Sequence, residues 1–220
     1  MTGPRVAVAV LRKDLLLDLR SRDRMGHMLV FAALVIVLLS IVLPDVDART
    51  RAWIPALVWI VFLFTSLLGL GRSFQAENED GARILLAQAP GDRGWVGLGK
   101  VAANWLTLLV IELWTGLLCA VFLDVSWSGA ILTVLGIGAL GAGGLAGVGT
   151  LLSAMASSAR FREFLLPLLL FPLILPVLVL ASRMTAAALA GDPVSFGYLA
   201  LYDWVFILLT YFVFDYLMED

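Results

Sequence analysis

Six runs of apolar residues dominate the 220-residue sequence. Each is long enough to cross a bilayer core of ~30 Å, which takes ~20 helical residues. They cover roughly His27–Leu43, Trp53–Leu70, Val101–Leu123, Gly129–Leu152, Phe164–Ala181 and Leu199–Leu217. Hydrophobic residues make up 61% of the chain and the mean hydropathy is +0.99. Soluble domains sit nearer ~45–50% apolar. A soluble core would also interrupt the runs at helical or strand period. The expected fold is therefore an all-α integral membrane protein with six spans. The first span is short. The fifth holds Pro167, Pro172 and Pro176 and is expected to be kinked or broken.

Charge sets the orientation. Arg5, Arg12, Lys13, Arg20, Arg22 and Arg24 precede the first span. Arg72, Arg83, Arg93 and Lys100 lie between the second and third, and Arg160 and Arg162 between the fourth and fifth. Only Arg49, Arg51 and Arg183 fall on the opposite side. Twelve basic residues against three place both termini in the cytoplasm by the positive-inside rule. No cleavable signal is expected, because a long charged segment precedes the first apolar run.

Several chemistries lack their raw material. The net charge of -2 offers no basic face for nucleic acid. Cys119 is the single cysteine and His27 the single histidine, which excludes an intrachain disulfide and a multi-cysteine or histidine-rich metal site. A buried Ser-His-Asp triad is equally unsupported. Gly94–Lys100 nearly spells a phosphate-binding loop, but Val101 stands where the magnesium-binding hydroxyl belongs and a membrane span follows. Lys100 reads instead as an inside anchor of the third span. Gly136–Gly141 spells the dinucleotide pattern inside an apolar run, without its strand–turn–helix context. The glycines of this run suit close helix packing, with Gly143 and Gly147 at GxxxG spacing. That face packs within the chain or, more sharply, between subunits.

Further features carry expectations of their own. In the N-terminal segment, Val8, Leu11, Leu15, Leu16 and Leu19 share one helical face, and Arg12, Lys13, Asp14, Asp18 and Arg20 take the rest. This reads as an interfacial amphipathic helix over 5–24, or else as a cytoplasmic helix packed on a partner. Glu112 lies near the middle of the third span, where a lone carboxylate is a functional candidate. Two plainer readings stand beside it: a protonated group bonded to a neighbouring helix, or a position nearer the membrane surface. Asp203 and Asp215 read as interfacial, solvated groups. Trp53, Trp59, Trp95, Trp105, Trp127 and Trp204 read as an aromatic belt, with Trp114 deeper.

The cytoplasmic loop over 71–100 is the most specific piece. It runs Phe74-Gln-Ala-Glu77-Asn-Glu79-Asp80-Gly81-Ala-Arg83-Ile-Leu85-Leu86-Ala-Gln-Ala-Pro90, then Leu98-Gly99-Lys100-Val101. Its acidic start and small apolar middle suit a short helix. Together with Leu11-Arg-Lys-Asp14, Arg20-Ser-Arg22, the length and the six spans, it resembles the haem exporter B family. These are the CcmB membrane subunits of the cytochrome c maturation ABC transporter. The resemblance covers essentially the whole chain and implies a single type-2 ABC permease domain in the bacterial inner membrane. The N-terminal helix would be its elbow. Phe74, Glu77, Glu79, Asp80, Gly81, Arg83, Leu85, Leu86 and Pro90 would form or flank a helix coupling it to the ATPase.

The resemblance also implies partners: a CcmA-like ATPase, CcmC-like and CcmD-like membrane proteins, a CcmE-like haem chaperone and a second permease copy. It implies no catalysis and no covalently bound cofactor, with haem as candidate cargo and ATP only on the partner. The segment 182–198 would lie on the outer face. Competing readings are a type-2 permease for a lipid, polysaccharide or drug, a proton-coupled carrier using Glu112, and a non-transporting assembly scaffold.

Overall fold

A computed structural model describes residues 3–21, 23–43, 52–79, 93–127, 129–156 and 162–217. The described residues form seven α-helices: α1 (Gly3–Ser21), α2 (Asp23–Val42), α3 (Ile54–Glu79), α4 (Gly94–Phe122), α5 (Ile131–Ala156), α6 (Arg162–Ala190) and α7 (Gly197–Leu217). Five are long and apolar enough to cross a membrane, through Arg24–Val42, Gly94–Phe122, Ile131–Met155, Leu168–Ala190 and Gly197–Phe214. The apolar part of α3, Ile54–Leu70, is shorter. At 1.5 Å per residue it reaches only about 25 Å. The sequence therefore expects six spans where the described residues hold five full-length ones and this shorter helix. α3 continues through the polar residues Gly71–Glu79, so it is long as a helix but not as an apolar one.

The structure bears on two expectations about helix limits. α6 is one unbroken helix through Pro167, Pro172 and Pro176, and it runs on to Ala190. Each proline removes one ladder donor. Packing against α3 and α5 holds the helix together regardless. The segment 182–198 is thus mostly the end of α6. The helix stops where Gly191 takes φ +82°. The Gly191 amide donates to Ala188 O at 3.1 Å and the Asp192 amide to Ala187 O at 2.9 Å. This pair of bonds is a Schellman closure.

α5 is the hub. Half of its apolar span is buried, against 17% for that of α2. It packs against α3, α4, α6 and α7. Its glycines permit this by letting different neighbours close in on different faces. A Cβ at Gly141 would collide with the Trp59 ring of α3, and one at Gly149 with Leu70. Gly143 and Gly147 face α7, against Asp203 and Phe206. Lipid is as apolar as leucine, so such close packing rather than apolar burial holds membrane helices together.

α1 lies along the start of α4. At Gly99 a Cβ would sit 2.6 Å from the Ala7 carbonyl oxygen, so the two backbones nearly touch. Val10 and Asp18 are buried, whereas Val8, Leu16, Leu17 and Leu19 are exposed. The helix is amphipathic, but its acidic side faces the bundle. Asp14 and Asp18, grouped by sequence with the solvated side, turn inward.

Candidate functional site

The inward turn of α1 assembles a buried polar network from four helices. Arg24 opens α2 and is 8% exposed. Its Nη1 donates to Asp18 Oδ1 at 3.2 Å and Oδ2 at 3.1 Å. Its Nη2 donates to Asn104 Oδ1 at 2.7 Å. Asn104 Nδ2 in turn donates to Thr150 Oγ1 on α5 at 2.8 Å. The Thr107 hydroxyl donates to Asp18 Oδ2 at 2.9 Å. One turn earlier on α4, Lys100 is 1% exposed and pairs with Asp14 at 3.3 Å. Lys13 also reaches Asp14, at 3.0 Å. Charges removed from water are tolerable only when paired and hydrogen-bonded, and nearly every atom of this group meets that condition. Lys100 is therefore a strut between α4 and α1, where the sequence suggests a membrane-surface anchor. Gly94–Lys100 is the first two turns of α4, not a phosphate loop. Gly136–Gly141 likewise lies within α5.

The opposite end of α4 is built differently. Glu112 is about 15 Å along the axis from the helix end at Phe122. Its carboxylate packs on the backbone of α5 at Gly138, where a Cβ would overlap it. Among the described residues no hydrogen bond or ion pair reaches it. It lines a cavity of about 570 Å³ between α3, α4, α5 and α6. The other polar groups on that wall are satisfied. Trp59 Nε1 donates to Thr185 Oγ1 at 3.0 Å, and Thr185 Oγ1 donates to Ala181 O at 2.8 Å. The Thr115 hydroxyl donates to Ile111 O at 2.8 Å. Trp127 Nε1 donates to Gly116 O at 3.0 Å. Glu112 thus stands inside the bundle on a cavity wall.

A second unpaired carboxylate appears where the sequence suggests solvation. Asp203 on α7 is 8% exposed, and its Oδ1 is buried without a partner among the described residues. It fits against Gly143 and Gly144 of α5. The tryptophans also depart from a simple belt. Trp53 and Trp204 are exposed, but Trp105 donates to Ala139 O at 2.7 Å and Trp114 to Leu29 O at 3.1 Å. With Trp59, these indoles tie helices together inside the bundle, and Trp127 ties the loop after α4 back to that helix.

Of the proposed coupling residues, Phe74, Glu77 and Glu79 lie on the last turns of α3. Asp80, Gly81, Arg83, Leu85, Leu86 and Pro90 lie outside the described residues, as does the short helix expected there. Asp215 falls near the end of α7. Sequence reading missed Asp18, Arg24, Asn104, Thr150 and Asp203 as site residues. The signal for part of the network was present: Lys100, Asn104 and Thr107 recur at helical spacing at the start of a span.

Known proteins share this chain's pattern. Residues 5–214 match the CcmB protein family. Heme exporter protein B of Bradyrhizobium diazoefficiens is 31% identical over 195 residues, covering 86% of this chain and 84% of the relative. Heme exporter protein B of Haemophilus influenzae is 28% identical over 188 residues, covering 83% and 82%. That of Pseudomonas aeruginosa is 29% identical over 186 residues, covering 84% and 83%. A match over nearly the whole chain, together with a bundle of apolar helices, places the protein: it is a multi-pass membrane protein that belongs to the CcmB family.

Proposed function

We propose that the chain is the membrane subunit of an ABC transporter for haem export in cytochrome c maturation. The observation that carries this reading is the family match over residues 5–214. The protein acts as a type-2 permease with six spans in the bacterial inner membrane, both termini cytoplasmic, and two copies per complex. The charge asymmetry supports this orientation. Twelve basic residues fall on one side of the expected spans against three on the other, and two of the twelve, Arg24 and Lys100, are buried in the polar network. α3, although short in its apolar part, completes the even number of crossings that the charges require.

ATP hydrolysis occurs on a separate CcmA-like subunit. The segment Phe74–Pro90 docks on it as a coupling element, and closure of the ATPase moves α3 and α4, which flank that segment. α1 follows as an elbow, because Asp14 and Asp18 bind it to Lys100, Thr107 and Arg24. The output is haem delivery or release of the haem-loaded CcmE-like chaperone, with CcmC-like and CcmD-like partners.

Tagged protein is expected to bring down an ABC ATPase. Asp80→Lys or Leu85→Asp is expected to weaken that pairing at least tenfold. Purification without an ATPase, with both variants fully active, overturns the coupling reading. In a strain lacking the gene, haem-loaded chaperone should accumulate and c-type cytochromes should be lost. A normal cytochrome level rules out the maturation role and leaves another exported cargo.

A further inference from the structure

We infer that the cavity beside Glu112 is a binding site for a lipophilic amine: one ammonium group on an apolar body, entering from the lipid. This site does not depend on what the transporter exports.

The cavity, at about 570 Å³, falls within the ~300–1,000 Å³ of small-molecule sites, which pair apolar walls with a few placed polar groups. Here the wall offers one such group without a partner. The hydroxyls and indoles on it are already bonded within the protein. The Glu112 carboxylate is bonded to nothing among the described residues. A carboxylate at membrane depth is costly without a counter-charge, so the ligand that gains most there brings one cation. An ammonium adds charge-assisted hydrogen bonds, which are roughly twice as strong as neutral ones. An anionic headgroup has no cation on this wall to meet it.

The entry route is also visible. Leu113 and Leu117 of α4 and Ile131 and Leu135 of α5 line the cavity and are at the same time exposed on the outside of the bundle. They form a lateral rim facing the region that lipid would occupy. Trp59 is buried at the inner end. A ligand would pass between α4 and α5, apolar body first or last, without crossing water.

Tryptophan fluorescence reads the site, because Trp59 and Trp127 line it. The full chain in phosphatidylcholine nanodiscs is titrated with a dibrominated dodecylammonium, a quencher whose effect requires close approach. Saturable quenching at one ligand per chain is expected. Glu112→Gln should weaken it at least tenfold. Gly116→Leu provides an independent arm. Gly116 lines the cavity and a Cβ there meets nothing within 4 Å, so a larger side chain starts into open space rather than into a neighbour. It should abolish the saturable phase. Dodecanol, with the same tail and no charge, should compete at least tenfold more weakly than dodecylammonium. Equal binding by Glu112→Gln, or equal competition by dodecanol, means that the cavity accepts apolar chains without recognising charge, and overturns the proposal. Unsaturable quenching unaffected by Gly116→Leu does the same. The assay contains no ATPase, chaperone or haem, so its failure leaves the transport reading untouched.

Discussion

The two ends of α4 solve the same problem in opposite ways. At its start, Lys100 and Asn104 stand beside Asp14, Asp18 and Arg24, and each charge has a partner on another helix. Toward its far end, Glu112 has none among the described residues and faces a cavity; Asp203 is also left unpaired, against the glycines of α5. Paired charges lock helices together, since removing one partner strands the other in low dielectric. Unpaired carboxylates do not contribute to cohesion. They persist in a membrane bundle where something other than packing uses them. The comparison separates a structural joint, which fixes α1 to the bundle, from a region free to bind.

The sharpest test of the difference is the sign of the stability change. Arg24→Met leaves Asp18 buried without its cation and should cost about 3–5 kcal/mol. Chemical denaturation in nanodiscs measures it. Adding Asp18→Leu should recover most of the loss, because a matched apolar pair of similar volume is nearly neutral. A double variant as unstable as the single would mean that the pair is not the joint.

Gly99→Ala attacks the same joint through the backbone. The new methyl would meet the Ala7 carbonyl at 2.6 Å, and a carbonyl cannot rotate away as a side-chain tip can. A loss of about 1–3 kcal/mol is expected from such overpacking. A cysteine placed at Val10, buried in the parent chain, should then react with maleimide. Continued protection would show that α1 tolerates the shift.

Asn104→Ala removes the bridge from Arg24 to Thr150. Interhelical hydrogen bonds in membranes average about 0.6 kcal/mol and reach about 1.7. A loss near the upper value is expected, since both partners are buried.

The smallest effects belong to the other region. Glu112→Gln and Asp203→Asn keep shape while removing the capacity for charge. Each should leave stability within about 0.5 kcal/mol of the parent or raise it, because no partner is stranded. A loss comparable to that of Arg24→Met at either position would erase the distinction between the two ends.

Much of this molecule is legible without coordinates. Runs of apolar residues demand lipid, and the distribution of Lys and Arg implies a direction. The residues from Phe74 to Pro90 resemble one family, and the match over 5–214 agrees with that resemblance. Glu112 is visible as an isolated acid in an apolar run. Asp203 is just as isolated, but its place near a helix end suggests water. Only the glycines of α5, which bring that helix up against it, reveal its burial. Asp18 and Arg24 are six residues apart on two different helices, so no single helical period connects them.

What the sequence by itself determined is the solvent, the helical class and the family, because each follows from local composition or linear pattern. Hydropathy is a property of segments, and lipid leaves a backbone few structures other than helices. What only the tertiary structure decided is which face of α1 turns inward, which charges are paired and where space is left. Those depend on contacts such as Arg24 with Asn104, eighty positions apart, and on the close approach of α5 to its neighbours. The apolar runs that first mark the chain as membranous are thus only its outline. The two ends of α4 give it a joint and a cavity.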